Sequence, residues 1–346
     1  MLVVPTLHPA ALLRGTGEEG IGMAKFLETV VDDFRKARAF RHRVPDWNED
    51  QIWKRDSSGR LVNLFPTVQD VWNYCLRNRN KLNAVDVETT GEQAMDCLLI
   101  CIGFATEEGD VLCVPFLRQG GIGYWSAPDL QRVLELLRWF LADIRTPKVM
   151  HNGAFDSVVL KTHGFDVFYA WAEDTMQMHH VWDSELPHGL DYCASRELEV
   201  PYWKDAVKGD KRWLALPDEV LRSYNVRDCL ATVRIAPRLA KKLQSHSGLW
   251  ECYREELEVC KEMARATLAG IWMDPAKRGA LSSEYHQQAD ESITAMRSIV
   301  RDPGFNPASP VQLQKALFQT CGFPIVLRTA KGAPSTNKDA MVLLAS

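Results

Sequence analysis

The chain has 346 residues, 46% of them hydrophobic by a wide count and 25% charged, with a formal net charge of −4. It is long enough for two domains, or for one large domain with additions, and its composition is that of a globular protein with a substantial core. The sequence has no run of about 18 apolar residues, so no membrane-spanning helix is expected, and its first residues do not read as a secretory signal. The small negative charge does not advertise a generic polyanion binder, although basic patches at Arg35–Arg43 and Arg234–Lys242 could hold phosphate locally. The nine cysteines include no Cys-x-x-Cys pair and read as reduced, mostly buried thiols of a cytoplasmic protein. The histidines are scattered and His179-His180 are adjacent, which argues against a zinc site.

Residues 1–45 read as a separate N-terminal extension: a strand from Val3, a His8-Pro9 turn, and a helix from about Ala24 to Arg38. Residues 46–60 are polar and interrupted and read as a linker. A short strand is expected over Leu61–Phe65, then a helix capped by Thr67 with Val68, Val71, Trp72 and Leu76 on its apolar side.

The stretch Asn83–Gly91 reads as a strand ending in two acids. Its period of two places Asp86 and Glu88 on one face. Two neighbouring carboxylates repel unless a cation lies between them, and a hard divalent ion prefers their oxygens. Cys97–Ala105, a turn at Glu107–Asp110, and Val111–Phe116 then complete an antiparallel meander. A helix from about Ala127 to Ile144 follows, with Leu130, Val133, Leu134, Leu137, Phe140 and Leu141 on one face. Next come a strand at Pro147–Met150, a helix at Gly153–Thr162, and an apolar run Val167–Ala172 ending at Glu173-Asp174, which is expected to cap the next helix. This order is that of a ribonuclease-H-like α/β fold, a mixed sheet with helices on both faces.

Two further features join the acidic strand. His151-Asn152-Gly153-Ala154-Phe155-Asp156 follows a strand and opens a helix, so Asp156 lies in the first turn, where an acid also suits the helix dipole. Tyr224 and Asp228 lie on one face of a helix running from about Asp218 to Lys242. The ordered set Asp-x-Glu, Asn-x-x-x-Asp, Tyr-x-x-x-Asp resembles the DEDD superfamily of 3′→5′ exonucleases, in its tyrosine subgroup. The resemblance implies that Asp86, Glu88, Asp156 and Asp228 bind two divalent metal ions, Mg²⁺ or Mn²⁺. It implies that Tyr224 orients the attacking water beside Glu88, and that Thr89, Asn152 and Phe155 contact the terminal nucleotide. Two metals can serve both the entering and the departing oxygen of an in-line phosphodiester hydrolysis.

Beyond the tyrosine helix, an amphipathic helix is expected from about Gly248 to Ala269, and another ending near Val300. The run Phe305-Asn306-Pro307-Ala308-Ser309-Pro310-Val311-Gln312-Leu313 and the later Thr329–Thr336 resemble the entry to the thumb of family A DNA polymerases. This implies an exonuclease domain over 61–246 and a helical thumb base over 247–346, without palm or fingers. The expected role is proofreading on single-stranded or frayed DNA 3′ ends, with a separate polymerase subunit as a candidate partner docking on 247–346 and no membrane association. The expected setting is the cytoplasm of a bacterium or a phage-infected bacterium. The first 40 or so residues resemble the C-terminal end of bacterial iron–sulfur uracil-DNA glycosylases through His8-Pro9 and Leu12-Leu13-Arg14. Glycosylase activity is not expected, because that family's water-activating residue and cluster cysteines are missing. The alternatives are an RNA-processing exonuclease of the same superfamily and a non-catalytic docking module of a split polymerase.

Overall fold

A computed structural model describes residues 53–198, 200, 203, 213–329 and 332–345, together with Val31, Phe34, Arg35 and Arg38. The rest of the N-terminal extension, including the His8-Pro9 motif and most of the helix expected there, lies outside the described residues. Among the described residues no helix is long and apolar enough to cross a membrane. They fall into two compact units, which divide between Gly270 and Ile271.

The first unit is built on five strands: β1 (Asn83–Thr89), β2 (Leu99–Ala105), β3 (Val111–Pro115), β4 (Lys148–Met150) and β5 (Trp171–Asp174). Their spatial order is β3-β2-β1-β4-β5. The β1–β2 and β2–β3 pairs are antiparallel and the β1–β4 and β4–β5 pairs parallel, so the sheet is mixed, as expected. Every residue of β2 and β3 is buried. Strands covered on both faces read as continuous apolar runs, and both runs are nearly so in the sequence.

The two faces separate along β2. On one face, Phe104 packs against Tyr74 of α1 (Val68–Arg77) and Phe140 of α2 (Ala127–Ala142), with ring centroids 6.0 and 5.6 Å away. Helix α1 starts where expected because Thr67 and Asp70 form a reciprocal capping box. On the other face lies the 27-residue α6 (Asp218–Gln244). It packs so closely that a Cβ at Gly103 would fall 2.3 Å from Asn225 Oδ1 and 2.6 Å from Cys229 Sγ. The backbone of Gly103 is not in the left-handed region, so glycine is required there for space.

Two local expectations fail. Leu61–Phe65 is a turn, closed by the Phe65 N–H donating to Leu61 O, and Leu61 makes one isolated bridge to Arg55. The run Val167–Ala172 becomes strand only at Trp171, because Asp166 accepts the Phe168 N–H and turns the chain. A helix the sequence did not announce, α5 (Leu190–Glu197), lies between α4 (Thr175–Trp182) and α6. Six of the nine cysteines are buried and all nine are free thiols, as expected.

Helix α7 (Leu249–Ala269) packs on α3 (Gly153–Thr162), α4 and α6, with Tyr253, Leu257 and Ala264 in the core. The Tyr253 hydroxyl donates to Glu173 at 2.6 Å and accepts the Asp174 N–H at 2.9 Å. This helix thus packs as part of the first compact unit, which ends at Gly270.

The second unit contains α8 (Pro275–Val300), α9 (Pro310–Gln314) and α10 (Lys338–Ala345). Asp274 caps α8, and Ser309 caps α9 with Pro310 at the first helical position. Phe305 of the Phe-Asn-Pro run is buried, and Asn306 accepts the Ala308 N–H, forming an Asx turn. No residue of α8 is buried.

Candidate active site

The site lies where β1 loses a neighbour. β4 pairs with β1 only at Asn83 and Ala84, and the chain then turns away into α3. Further along, the Val87 N–H would have no partner on that edge. The Asp156 carboxylate, from the first turn of α3, accepts it at 3.0 Å in place of a β ladder. The backbone thereby fixes Asp156 beside the acidic end of β1.

Across the β1–β2 pair, Asp86 lies opposite Gly103 and Glu88 opposite Cys101. Opposed residues share a face, so both acids point toward α6, as the strand period predicts. A bulge follows between Glu88 and Thr89, where Ile100 is the extra residue on β2. From α6, Asn225 donates to Asp86 Oδ2 at 2.8 Å and to the Asp86 carbonyl at 3.2 Å. Gly103 is what allows Asn225 to come close enough for these bonds.

Asp156 and Asp228 are buried, and so is Glu88. Burial pushes the Asp156 carboxyl up to about 7, against the Val87 hydrogen bond, and Asp174 and Asp228 add to the rise. Cys229 follows Asp228 on α6. Its buried thiol is held well above the usual thiol range, first by desolvation and then by the negative charges of Asp86, Asp228 and Asp156.

Asp174 does more than cap α4, the role the sequence suggests. It accepts the N–H groups of Met176 and Gln177 there, and also those of Asn152 at 3.3 Å and Gly153 at 2.7 Å. Asn152 sits in the left-handed region, at φ 65° and ψ 41°, an uncommon state that asparagine tolerates best after glycine. Asp174 thus holds the turn that delivers Phe155 and Asp156.

Tyr224 lies one helical turn before Asp228 on α6 and is partly exposed. A cleft of about 700 Å³ opens beside Glu88, lined also by Thr89, Gly91, Phe155 and Trp213. Of the three expected substrate contacts, Thr89 and Phe155 line this cleft, while Asn152 is exposed at the start of α3. The Thr89 hydroxyl donates to Gly91 O at 2.7 Å and shapes the cleft floor.

Sequence reasoning missed two tryptophans. The Trp203 indole donates to Asp228 Oδ1 at 2.6 Å, and the Trp213 ring packs 5.8 Å from that of Tyr224. Both fall in a stretch with no helix or strand period, where only the aromatic residues themselves signalled a role.

The four candidate metal ligands offer oxygen donors alone, the set a hard dication prefers. Among the described residues, however, no group of three or more His, Cys, Asp or Glu side chains is arranged to hold a metal ion. Asp86, Asp156 and Asp228 instead accept hydrogen bonds from Asn225, Val87 and Trp203. The burial of Glu88, Asp156 and Asp228, and the repulsion between Asp156 and Asp228, fit a site that gains from a cation.

Residues 65–244 match a family described as 3′-5′ exonuclease, just over half of the chain. The chain belongs to this 3′–5′ exonuclease family. It is similar to DNA polymerase I of Pseudomonas aeruginosa, 28% identical over 276 residues, covering 77% of this chain and 30% of that protein. It is also similar to DNA polymerase I of a Synechocystis species, 30% identical over 248 residues, covering 69% of this chain and 24% of that protein. The chain therefore spans about a quarter to a third of the curated relatives it matches. Among solved structures, the polymerase domain of Pol1 from M. smegmatis, in complex with DNA primer-template and dNTP, aligns with a TM-score of 0.51. That match has 21% identity and covers 80% of this chain and 43% of the other, which supports the fold.

Proposed function

We propose that this exonuclease is metal-dependent, acts on DNA 3′ ends and releases nucleoside monophosphates, as the proofreading part of a family A DNA polymerase. The observation that carries this reading is that Asn225, the Val87 N–H and Trp203 hold Asp86, Asp156 and Asp228 in place, with Glu88 on an open cleft.

Asp86, Glu88, Asp156 and Asp228 would hold two divalent ions, Mg²⁺ or Mn²⁺. Such ions supply an activated water and stabilise the departing 3′-oxygen. Asn225 orients Asp86, and the Val87 N–H orients Asp156. Tyr224 directs the attacking water through its hydroxyl, which can both donate and accept. Thr89 and Phe155 line the cleft where the terminal nucleotide would lie, and Asn152, exposed at the start of α3, would also contact it. A paired end must unstack to reach the acids, so single-stranded or frayed ends are the preferred substrate.

In this reading, residues 61–246 form the exonuclease domain and 247–346 lead into a polymerase thumb. A separate polymerase subunit would dock on the latter, and the setting would be cytoplasmic. No role is proposed for residues 1–45, and 46–60 serve as a linker.

The test is digestion of a 5′-labelled DNA strand with Mg²⁺ or Mn²⁺ against EDTA, alongside an RNA strand of the same sequence. A metal-dependent ladder from the 3′ end, faster on DNA and lost in Asp86→Ala, is expected. Absence of cleavage with either metal would sink the catalytic reading, and faster RNA cleavage would move the substrate to RNA.

A further inference from the structure

One wall of the cleft is built by a residue outside all three acidic motifs. Trp213 begins a short 3₁₀ turn, Trp213–Ala215, ahead of α6. It lines the cleft together with Glu88, Thr89 and Phe155. Its ring is half-buried, and it packs on Tyr224 with centroids 5.8 Å apart and planes at 42°.

The turn that carries Trp213 is held to the loop after β3. Gln119 Nε2 donates to Ala215 O at 2.8 Å, and the Gln119 N–H donates to Asp218 Oδ1 at 2.6 Å. Leu214 reaches the same loop at Gly121. The indole is therefore a fixed surface, supported by a second ring and still partly open to water. Every nucleobase has an apolar π-face of matching size, and stacking on a pre-positioned aromatic ring needs little further ordering.

We propose that Trp213 is a specificity-determining residue that stacks on one of the two unpaired bases flanking the scissile phosphodiester, selecting unstacked single-stranded 3′ ends. The proposal rests on the nuclease reading above. Phe155, beside Asp156, supplies the aromatic surface on the α3 side of the cleft, and Trp213 supplies the one leading to α6. A base held in a duplex has both faces covered by its neighbours and cannot use the indole. A frayed or single-stranded end can. Stacking of this kind tolerates all four bases, as removal of any mispaired terminus would require.

The experiment compares wild type, Trp213→Leu and Trp213→Phe on single-stranded oligonucleotides that are intact, abasic at the last position, or abasic at the one before it. For Trp213→Leu we expect roughly ten-fold lower kcat/KM on the intact strand, carried mainly by KM, with Trp213→Phe nearly restoring it. One of the two abasic strands should cost wild type a similar factor and cost Trp213→Leu nothing further.

An equal loss of kcat on all three strands, with abasic sensitivity kept, would mean that Trp213 only positions Tyr224, and would overturn the proposal. Binding of a fluorescein-labelled oligothymidylate in EDTA separates the two readings. Equal affinity of wild type and Trp213→Leu refutes stacking, whereas a wild-type protein that binds but never cleaves refutes the nuclease reading.

Discussion

Replacing Gly103 with alanine places one methyl group at a tight contact between β2 and α6. The new Cβ would lie 2.3 Å from Asn225 Oδ1, 2.6 Å from Cys229 Sγ and 2.8 Å from Asn225 Cγ, all well inside contact distance. Both obstacles are short side chains on a 27-residue helix, so neither can swing clear as the tip of a lysine could. Either α6 lifts or Asn225 changes rotamer. Overpacking of this kind costs about 1–3 kcal/mol. Loss of the Asn225 hydrogen bond to the Asp86 carboxylate adds roughly 1–2 kcal/mol, because Asp86 is partly solvated and water replaces some of it. A total of about 2–5 kcal/mol should lower Tm by roughly 5–20 °C in a unit of this size. Cleavage should fall by more than the fraction unfolded, because α6 also carries Tyr224 and Asp228. The assays are thermal denaturation and single-turnover cleavage well below Tm. The double variant Gly103→Ala/Cys229→Ala should regain part of the stability by removing one obstacle. A Gly103→Ala protein with wild-type Tm and rate would refute the packing argument and the dependence of Asp86 on Asn225.

Other outcomes follow from the buried acids. Burial raises Asp156 to about 7 and Asp174 to about 6, from an ordinary value of 3.8. An acid whose folded pKa is raised costs nothing below its unfolded pKa and destabilises the fold increasingly as pH rises through the folded pKa. Metal-free protein should therefore lose stability between about pH 4 and pH 7, and Mg²⁺ should raise Tm more at pH 8 than at pH 5.5. In Asp156→Asn that pH dependence should shrink, and a Mg²⁺ effect independent of pH would count against a dication at these acids. Asp174→Ala removes the acceptor of four N–H groups, two at the head of α4 and two at the Asn152-Gly153 turn. Losing the cap and leaving the buried Gly153 N–H unpaired should cost about 2–4 kcal/mol and slow cleavage by releasing Asn152 from its left-handed state. An unchanged melting curve and rate would show that the turn holds without Asp174.

Much of this protein is legible along the chain. The period of two in Asn83–Thr89 is enough to put Asp86 and Glu88 on one face, and the helical period is enough to align Tyr224 with Asp228. The order of strands and helices is enough to imply a mixed sheet. These are local properties, decided by backbone geometry within a few residues. The sequence could not show that β1 outruns β4 and leaves the Val87 N–H for Asp156 to accept, because a missing ladder partner is a fact about two segments over 60 residues apart. Nor could it show that Gly103 is glycine so that Asn225 can reach Asp86, that Asp174 holds Asn152, or that α7 belongs to the nuclease unit through Tyr253. Trp213 was unreadable for the same reason: it lies in an aperiodic stretch and owes its place to Tyr224 and the Gln119 loop. Patterns along a chain specify which way a side chain points, and only the packing of distant segments decides what it meets.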